Sequence, residues 1–184
     1  MLAALALCSL AGLSAAGARM SDGIANGDFE TPVTRDEPVP GWVLELGAQN
    51  GAKTPESVVA VDRDERHGGR ASLRFSGDRA TRGWRIAKQA VEVRPGGRYE
   101  LTAWTRAAGV EPNGFGIDNG YVGLFFFDAA GKVAGRGFAN VERPDSDWTE
   151  RRVELVAPPH AREAYVFVFL SMLGDMWVDD VALA

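Results

Sequence analysis

The 184-residue sequence contains a single cysteine, Cys8, and only two histidines, His67 and His160. These counts exclude a disulfide framework, a cysteine zinc site and a histidine-rich metal cluster. Basic residues are also outnumbered, with 20 Lys and Arg against 25 Asp and Glu, which gives a formal net charge of −5. This balance argues against a nucleic-acid partner, because nucleic acids are bound by clustered Lys and Arg.

The remaining composition is that of one globular domain. Apolar residues make up 46% of the chain and charged residues 24%, which predicts a packed core rather than disorder. The 22 glycines and nine prolines interrupt the chain at short intervals. Such frequent interruption predicts many short strands rather than long helices.

Residues 1–18 have the features of an export signal. They are rich in Leu and Ala, carry no charge, and form a run shorter than the roughly 20 residues that span a bilayer. The run ends in Ala-Gly-Ala, a small-x-small pattern that predicts cleavage before Arg19. We therefore expect one domain over 19–184, with no membrane span, secreted or held in the periplasm or cell envelope. Lipidation at Cys8 and a start at Met20 are the alternatives left open.

From residue 24 onward the pattern is that of an all-β chain. Strands are predicted at 42–46, 57–61, 71–76, 84–93, 98–106, 121–127, 132–139, 148–157, 164–172 and 176–183. Short strands separated by turn residues at this spacing are typical of a sandwich or barrel.

Three of these strands have informative faces. In 98–106, Leu101 and Ala103 alternate with Trp104 and Arg106, so we expect the first pair in the core and the second pair outside. The segments 121–127 and 164–172 are apolar on both faces. Such strands lie centrally in a sheet, either covered on both faces or with one face lining a groove.

Six short segments carry a resemblance to a known family. They are 24–30 (IANGDFE), 41–42 (GW), 67–74 (HGGRASLR), 91–101 (VEVRPGGRYEL), 147–149 (DWT) and 176–183 (MWVDDVAL). In this order the chain resembles the carbohydrate-binding modules of families 4, 9 and 22, which belong to the galactose-binding-like β-sandwiches. The resemblance spans nearly all of 19–184. It implies a jelly-roll β-sandwich of two antiparallel sheets.

The resemblance also implies one structural calcium ion between the first and last strands. Carried over residue by residue, Glu30 and Asp179 are the expected side-chain ligands, and the backbone near Asp28 and in the turn 67–69 completes the shell. Calcium takes six to eight hard oxygen ligands, which such loops can supply. Asp179 also shares parity with Val181 and Leu183, which are expected to face the core, so its carboxylate needs a cation or a hydrogen-bonded partner. The alternative is that both carboxylates only cap turns or accept backbone N–H bonds.

A sugar-binding site needs exposed aromatic rings flanked by polar side chains, because a ring stacks on the C–H face of a sugar while polar groups bind its hydroxyls. Trp104 with Arg106 is the first candidate pair, and Trp84 beside Arg85 is the second. A long Gly-rich loop supplies further candidates. These are Asn113, Asp118, Asn119 and Tyr121. By contrast, Trp42, Trp148 and Trp177 match framework positions and are expected in the core.

Catalysis has weaker support in the sequence. A glycoside hydrolase needs two carboxylates in a cleft, and Asp145 with Asp147 or Asp179 with Asp180 would be the nearest pairs. The first pair is better explained by turn chemistry, and neither a Gly-x-Ser-x-Gly elbow nor a phosphate-binding loop is present. We therefore expect a secreted, non-catalytic polysaccharide-binding module. A protein-binding domain of the cell envelope and a jelly-roll polysaccharide-degrading enzyme are the alternatives.

Overall fold

A computed structural model describes residues 23–48, 58–79, 83–114 and 118–184. The expected signal segment, 1–18, lies outside the described residues. In the ranges given, no helix is long and apolar enough to cross a membrane. The described chain forms ten strands: β1 (Val43–Ala48), β2 (Val59–Asp62), β3 (Ser72–Gly77), β4 (Gly83–Val91), β5 (Arg98–Pro112), β6 (Gly120–Phe127), β7 (Val133–Asn140), β8 (Ser146–Val156), β9 (Glu163–Leu170) and β10 (Met172–Leu183).

The strands form two antiparallel five-stranded sheets that pack into a β-sandwich. Sheet A has the order β1-β4-β9-β6-β7, and sheet B has the order β2-β3-β10-β5-β8. From β7 onward, each successive strand changes sheet, with β7 and β9 in sheet A and β8 and β10 in sheet B. The predicted all-β jelly-roll sandwich is therefore confirmed. All ten predicted strands are present, with ends that differ by a few residues.

The largest difference lies at the end of β5, which continues six residues beyond the predicted end at Arg106. It continues because β10 pairs with it as far as Met172 opposite Pro112. The local Ala-Ala-Gly sequence indicated a break, and the partner strand overrides that local signal.

The core lies between the sheets and follows the predicted alternation. Leu101 and Ala103 of β5 are buried, as are Val166 and Val168 of β9 on the facing sheet. Burying a side chain of the size of Val or Leu contributes about 1.5–3 kcal/mol. The inner faces of the two sheets therefore supply the stability that a chain without disulfides requires.

A one-residue bulge in β10 changes which way Asp179 faces. Asp179 pairs with Trp104, but the next pair joins Ala182 to Thr102, so β10 carries one extra residue there. Asp180 has a φ of 49°, in the left-handed region. The expectation that Asp179 faces the core together with Val181 is therefore wrong. Asp179 lies on the outer side of sheet B, and the turn at 67–68 covers it.

Candidate functional site

The outer side of sheet A carries a continuous group of aromatic side chains. Antiparallel register places Tyr121 opposite Phe169 and Phe125 opposite Tyr165, while the residues that alternate with them along each strand face the core. We call this group the aromatic face. Its members are Tyr121, Phe125, Phe127, Phe138, Tyr165, Phe167 and Phe169.

The rings of the aromatic face touch one another across three strands. The ring centroids of Tyr121 and Phe169 are 4.8 Å apart, and those of Phe125 and Phe167 are 4.9 Å apart. At the β7 side, Phe138 lies 5.2 Å from Tyr121. Exposure differs along this surface, since Phe138 is 44% exposed and Phe169 only 8%. Phe169 is therefore packed beneath its neighbours, whereas the Phe138 side chain is accessible to a ligand.

Gly123 lies in the middle of this surface, where its neighbours pack closely around it. It faces Phe138 on β7 and Phe167 on β9, and it has no side chain to match these rings. A Cβ atom at this position would lie 3.0 Å from atoms of Phe125 and Phe138. The space next to Gly123 is therefore filled by its neighbours, and a larger residue would have to displace them.

Trp84 extends the apolar surface to the other edge of sheet A. It pairs with Gly47 of β1, and a Cβ atom at Gly47 would lie 2.0 Å from the Trp84 ring. The indole therefore lies directly against the β1 backbone, which only a glycine permits. Trp84 is half-buried, so part of its side chain is accessible to solvent.

Polar groups flank the aromatic face on both sides. On β7, the guanidinium of Arg136 lies 5.9 Å from the Phe125 ring centre. Asn119 Nδ2 donates to Asn140 Oδ1 at 3.1 Å, which fixes a pair of amides beside Tyr121. On the β1 side, Lys88 forms an ion pair with Glu45.

The two tyrosines of the face keep their protons. Burial raises the pKa of Tyr121, although the nearby Arg136 opposes this shift. Burial also raises the pKa of Tyr165, and the negative charges of Glu163 and Glu45 raise it further. Both hydroxyls are consequently neutral at ordinary pH and can donate hydrogen bonds.

The first predicted pair, Trp104 and Arg106, lies on the outer side of the opposite sheet. The Trp104 ring is stacked against His67 with 3.9 Å between centroids, and Trp148 lies 5.8 Å from the same histidine. Arg106 forms an ion pair with Glu65. The loop that follows β2 therefore covers one face of Trp104 and neutralises Arg106.

The other predicted tryptophans have different environments. Trp42 is buried, and its Nε1 donates to the carbonyl of Asn26 at 3.1 Å. Trp177 is also buried, but on the outer side of sheet B, where Arg74 and Arg106 cover it. Trp148 is half-buried rather than in the core.

The structure divides the remaining predicted ligand-binding residues into two groups. Trp84, Asn119 and Tyr121 lie together on the outer side of sheet A. Arg85 is only 1% exposed, and burial lowers the pKa of its guanidinium.

The predicted residues of the Gly-rich loop hold that loop in place. Asn113 is 5% exposed and donates to the carbonyl of Ser171 at 2.6 Å. Asp118 Oδ1 accepts a hydrogen bond from the backbone N–H of Asn113 at 2.7 Å. Phe115, in the same loop, lies outside the described residues.

The segment 24–30 is not a strand, and the predicted calcium ligands Glu30, which precedes β1, and Asp179, on β10, meet at the turn at 67–71. Glu30 accepts hydrogen bonds from the backbone N–H groups of Arg70 and Ala71. Asp179 Oδ2 accepts from the N–H groups of His67 at 2.9 Å and Gly68 at 3.1 Å. This is the hydrogen-bonding role that the sequence left as the alternative.

The carboxylates at this junction could supply some, but not all, of the oxygen ligands of a hard cation. Burial raises the pKa of Asp179 to about 6, against the lowering effect of its backbone hydrogen bonds, so a cation beside it would offset a real cost. Asp28 and Asp180 line one open depression next to it. In the described part of the chain, no three acidic, His or Cys side chains converge to hold a metal. Backbone carbonyls would have to supply the other ligands, and the calcium ion stays a prediction.

Comparison with solved structures identifies the fold of the chain. No protein-family model and no curated protein matches the chain. Among solved structures, the C-terminal family 22 carbohydrate-binding module of Clostridium thermocellum Xyn10B matches with a TM-score of 0.55 and 16% identity, covering 87% of this chain and 94% of that module. Modules of families 16 and 61 match as well. The chain has the fold of carbohydrate-binding modules.

The same fold also occurs in proteins of other kinds. The enzymatically active domain of bacteriophage CBA120 tailspike protein 4 matches with a TM-score of 0.64 and 16% identity over 88% of this chain, which spans 21% of that chain's length. A cyclase from Fischerella sp. TAU matches with a TM-score of 0.56 and 20% identity, covering 87% of this chain and 94% of the other. The fold alone therefore leaves function to be argued from the site.

Sequence reasoning did not select most of the aromatic face. Only Tyr121 was singled out as a ligand-binding residue, although β6 and β9 were recognised as apolar on both faces. That double-sided pattern was the available signal. It leaves two interpretations, a strand covered on both faces or one whose second face lines a groove, and the pairing of β6 with both β7 and β9 places the rings on one outer surface.

Proposed function

We propose that the protein is a non-catalytic carbohydrate-binding module that binds a polysaccharide on the aromatic face. The observation that carries this proposal is the outward-facing set of seven aromatic side chains in mutual contact, flanked by amides and charged groups. Sugar rings are apolar on their C–H faces and polar at their edges, and this surface has the same division. Solved modules of this fold include one bound to β-1,4-galactotriose, which supports the class of ligand.

Binding on this face needs no chemical step. A sugar residue would stack on Phe125 or Tyr121, and its edge hydroxyls would reach the Tyr121 hydroxyl and the Asn119–Asn140 amides beside it. We infer an open groove that binds the interior of a chain, because the aromatic rings run across β7, β6 and β9.

A protein-binding role is the second candidate. Five of the seven rings of the aromatic face are phenylalanines, which offer no hydrogen bond, and Val43 at the β1 edge is 49% exposed. Exposed apolar surface of this kind also marks protein interfaces. We rank this role second because polar side chains border the rings on both sides.

The catalytic alternative receives less support. Asp179 and Asp180 are adjacent and the pKa of Asp179 is raised to about 6, as a general acid would require. However, Asp179 is 1% exposed, and its oxygens accept hydrogen bonds from the turn at 67–68. Asp145 accepts a hydrogen bond from the backbone N–H of Gly109 at 2.8 Å, which holds the segment before β8 against β5.

Affinity gel electrophoresis against a panel of soluble polysaccharides tests the proposed function. We expect one class of polysaccharide to retard the purified protein, with the free sugar competing for the same site. A folded protein that no polysaccharide in the panel retards would overturn the proposal and favour a protein partner. Folding is checked on the same sample by circular dichroism.

A further inference from the structure

We propose that the polysaccharide bound on the aromatic face carries carboxylate groups, and that Arg136 recognises them. This inference rests on the proposed function, since it concerns the same surface. The ligand class is that of polyuronides, in which a carboxylate replaces the hydroxymethyl group at the edge of each sugar ring.

Arg136 is an exposed cation at the rim of the aromatic face. It stands directly opposite Phe125 in the β6–β7 pairing, and it is exposed to solvent. Its guanidinium contacts the Phe125 ring, with 5.9 Å between Cζ and the ring centroid, and within the described ranges it forms no salt bridge. Other arginines of the domain, such as Arg74 and Arg106, form ion pairs with acidic residues.

The position of Arg136 matches the position of a uronate carboxylate. The Arg136 guanidinium lies over the Phe125 ring, with its Cζ 5.9 Å from the ring centroid. The Tyr121 ring is the neighbouring platform, 6.2 Å from Phe125 between centroids, so a sugar stacked on Tyr121 would extend an edge substituent toward the guanidinium. Its fork of N–H donors suits a carboxylate, which can accept two parallel hydrogen bonds.

The other charged side chains near the aromatic face do not compete with a ligand carboxylate for Arg136. Lys88 and Glu45 neutralise each other on the β1 side. Glu163 stands opposite Phe127 in the pairing of β9 with β6, at the end of the face beyond Tyr165. A polyanion would therefore meet attraction at Arg136 and repulsion near Glu163, so the two charges together fix its position along the groove.

Net charge sets the conditions of the test. The chain carries a formal charge of −5, which repels a polyanion at long range. Salt at physiological concentration screens charges more than about 8 Å apart, whereas a contact pair at Arg136 is screened less. Binding is therefore measured at physiological ionic strength.

The experiment compares polygalacturonate and alginate with the carboxyl-reduced form of each polymer, which keeps the chain and removes the charge. Isothermal titration calorimetry is run on the unaltered protein and on two variants, Arg136→Gln and Arg152→Gln. Arg152 is an exposed arginine on the outer side of sheet B and serves as the matched control.

We expect one of the two polyuronides to bind at least about fivefold more tightly than its reduced form. Arg136→Gln should abolish this preference, and Arg152→Gln should preserve it. Equal binding of the charged and reduced polymers, or an equal loss of both with Arg136→Gln, would overturn the inference. Binding of neutral polysaccharides alone would overturn it while leaving the proposed function intact, and an absence of all polysaccharide binding would overturn both.

Discussion

At the scale of single residues, the aromatic face separates side chains that hold the sheet together from side chains that can meet a ligand. Phe169 is almost fully buried among its neighbours, so truncating it would damage packing as well as binding. Phe138 stands at the rim and is 44% exposed. The effect of a substitution on packing and its effect on binding can therefore be measured at different positions.

Phe138→Ala should weaken polysaccharide binding with little effect on folding. Loss of one stacked ring is worth about 1 kcal/mol, which corresponds to roughly a fivefold rise in Kd. The free energy of unfolding, measured with urea, should stay close to that of the unaltered protein. An unchanged Kd would show that the β7 rim takes no part in binding.

Gly47→Ala should force the Trp84 indole away from β1. The added methyl would occupy the space of the ring, because a Cβ atom there lies 2.0 Å from it. We expect the free energy of unfolding to fall by about 1–3 kcal/mol.

The matched control for Gly47→Ala is the same substitution in a Trp84→Ala background, where nothing remains to collide with the methyl group. A comparable loss of stability in that background would mean that the packing of Trp84 on Gly47 does not limit this position.

At the scale of elements, the sequence predicts strands better than it predicts which sheet each strand joins. All ten strands were located from apolar runs between turn residues, since these signals are local. Sheet membership depends on pairing between distant segments. Trp104 on β5 and Tyr121 on β6 belong to consecutive strands, yet they lie on opposite outer surfaces.

The bulge in β10 is the second feature that local pattern could not reveal. Period-two alternation places Asp179 with Val181, and the extra residue reverses that assignment. What the pattern did predict is that Asp179 is buried and needs partners. The turn at 67–68 supplies them through backbone N–H groups.

Asp179→Ala should destabilise the domain without weakening polysaccharide binding. The change leaves the N–H groups of His67 and Gly68 without an acceptor, which costs about 1–3 kcal/mol. Urea unfolding measures this cost. Because Asp179 lies on sheet B, we expect the Kd for polysaccharide to stay within about twofold. A large loss of affinity with normal stability would place the ligand at the junction instead.

At the scale of the whole molecule, the sandwich presents two outer surfaces, and they differ in what covers them. On sheet B, the loop after β2 lies over Trp104 and Asp179. On sheet A, the aromatic face retains exposed rings. A single rigid sandwich thus carries a stabilising junction on one side and a candidate ligand groove on the other.

Calcium is expected to act on the stability of the whole domain. A cation bound at the junction of Glu30 and Asp179 stabilises the folded state by mass action, so the melting temperature should rise with calcium chloride and fall with EDTA. Asp179→Ala should remove this difference. An equal melting temperature in both buffers would mean that the carboxylates serve as hydrogen-bond acceptors for the turn and hold no metal.

The central claim is that the polysaccharide binds on sheet A rather than on sheet B. The most direct measurement compares the Kd of Tyr121→Ala with that of Trp104→Ala for one polysaccharide, with unfolding curves for both variants. We expect Tyr121→Ala to weaken binding at least about fivefold and Trp104→Ala to leave it within about twofold. Loss of binding in a folded Trp104→Ala variant, with Tyr121→Ala unaffected, would contradict this account and move the site to sheet B.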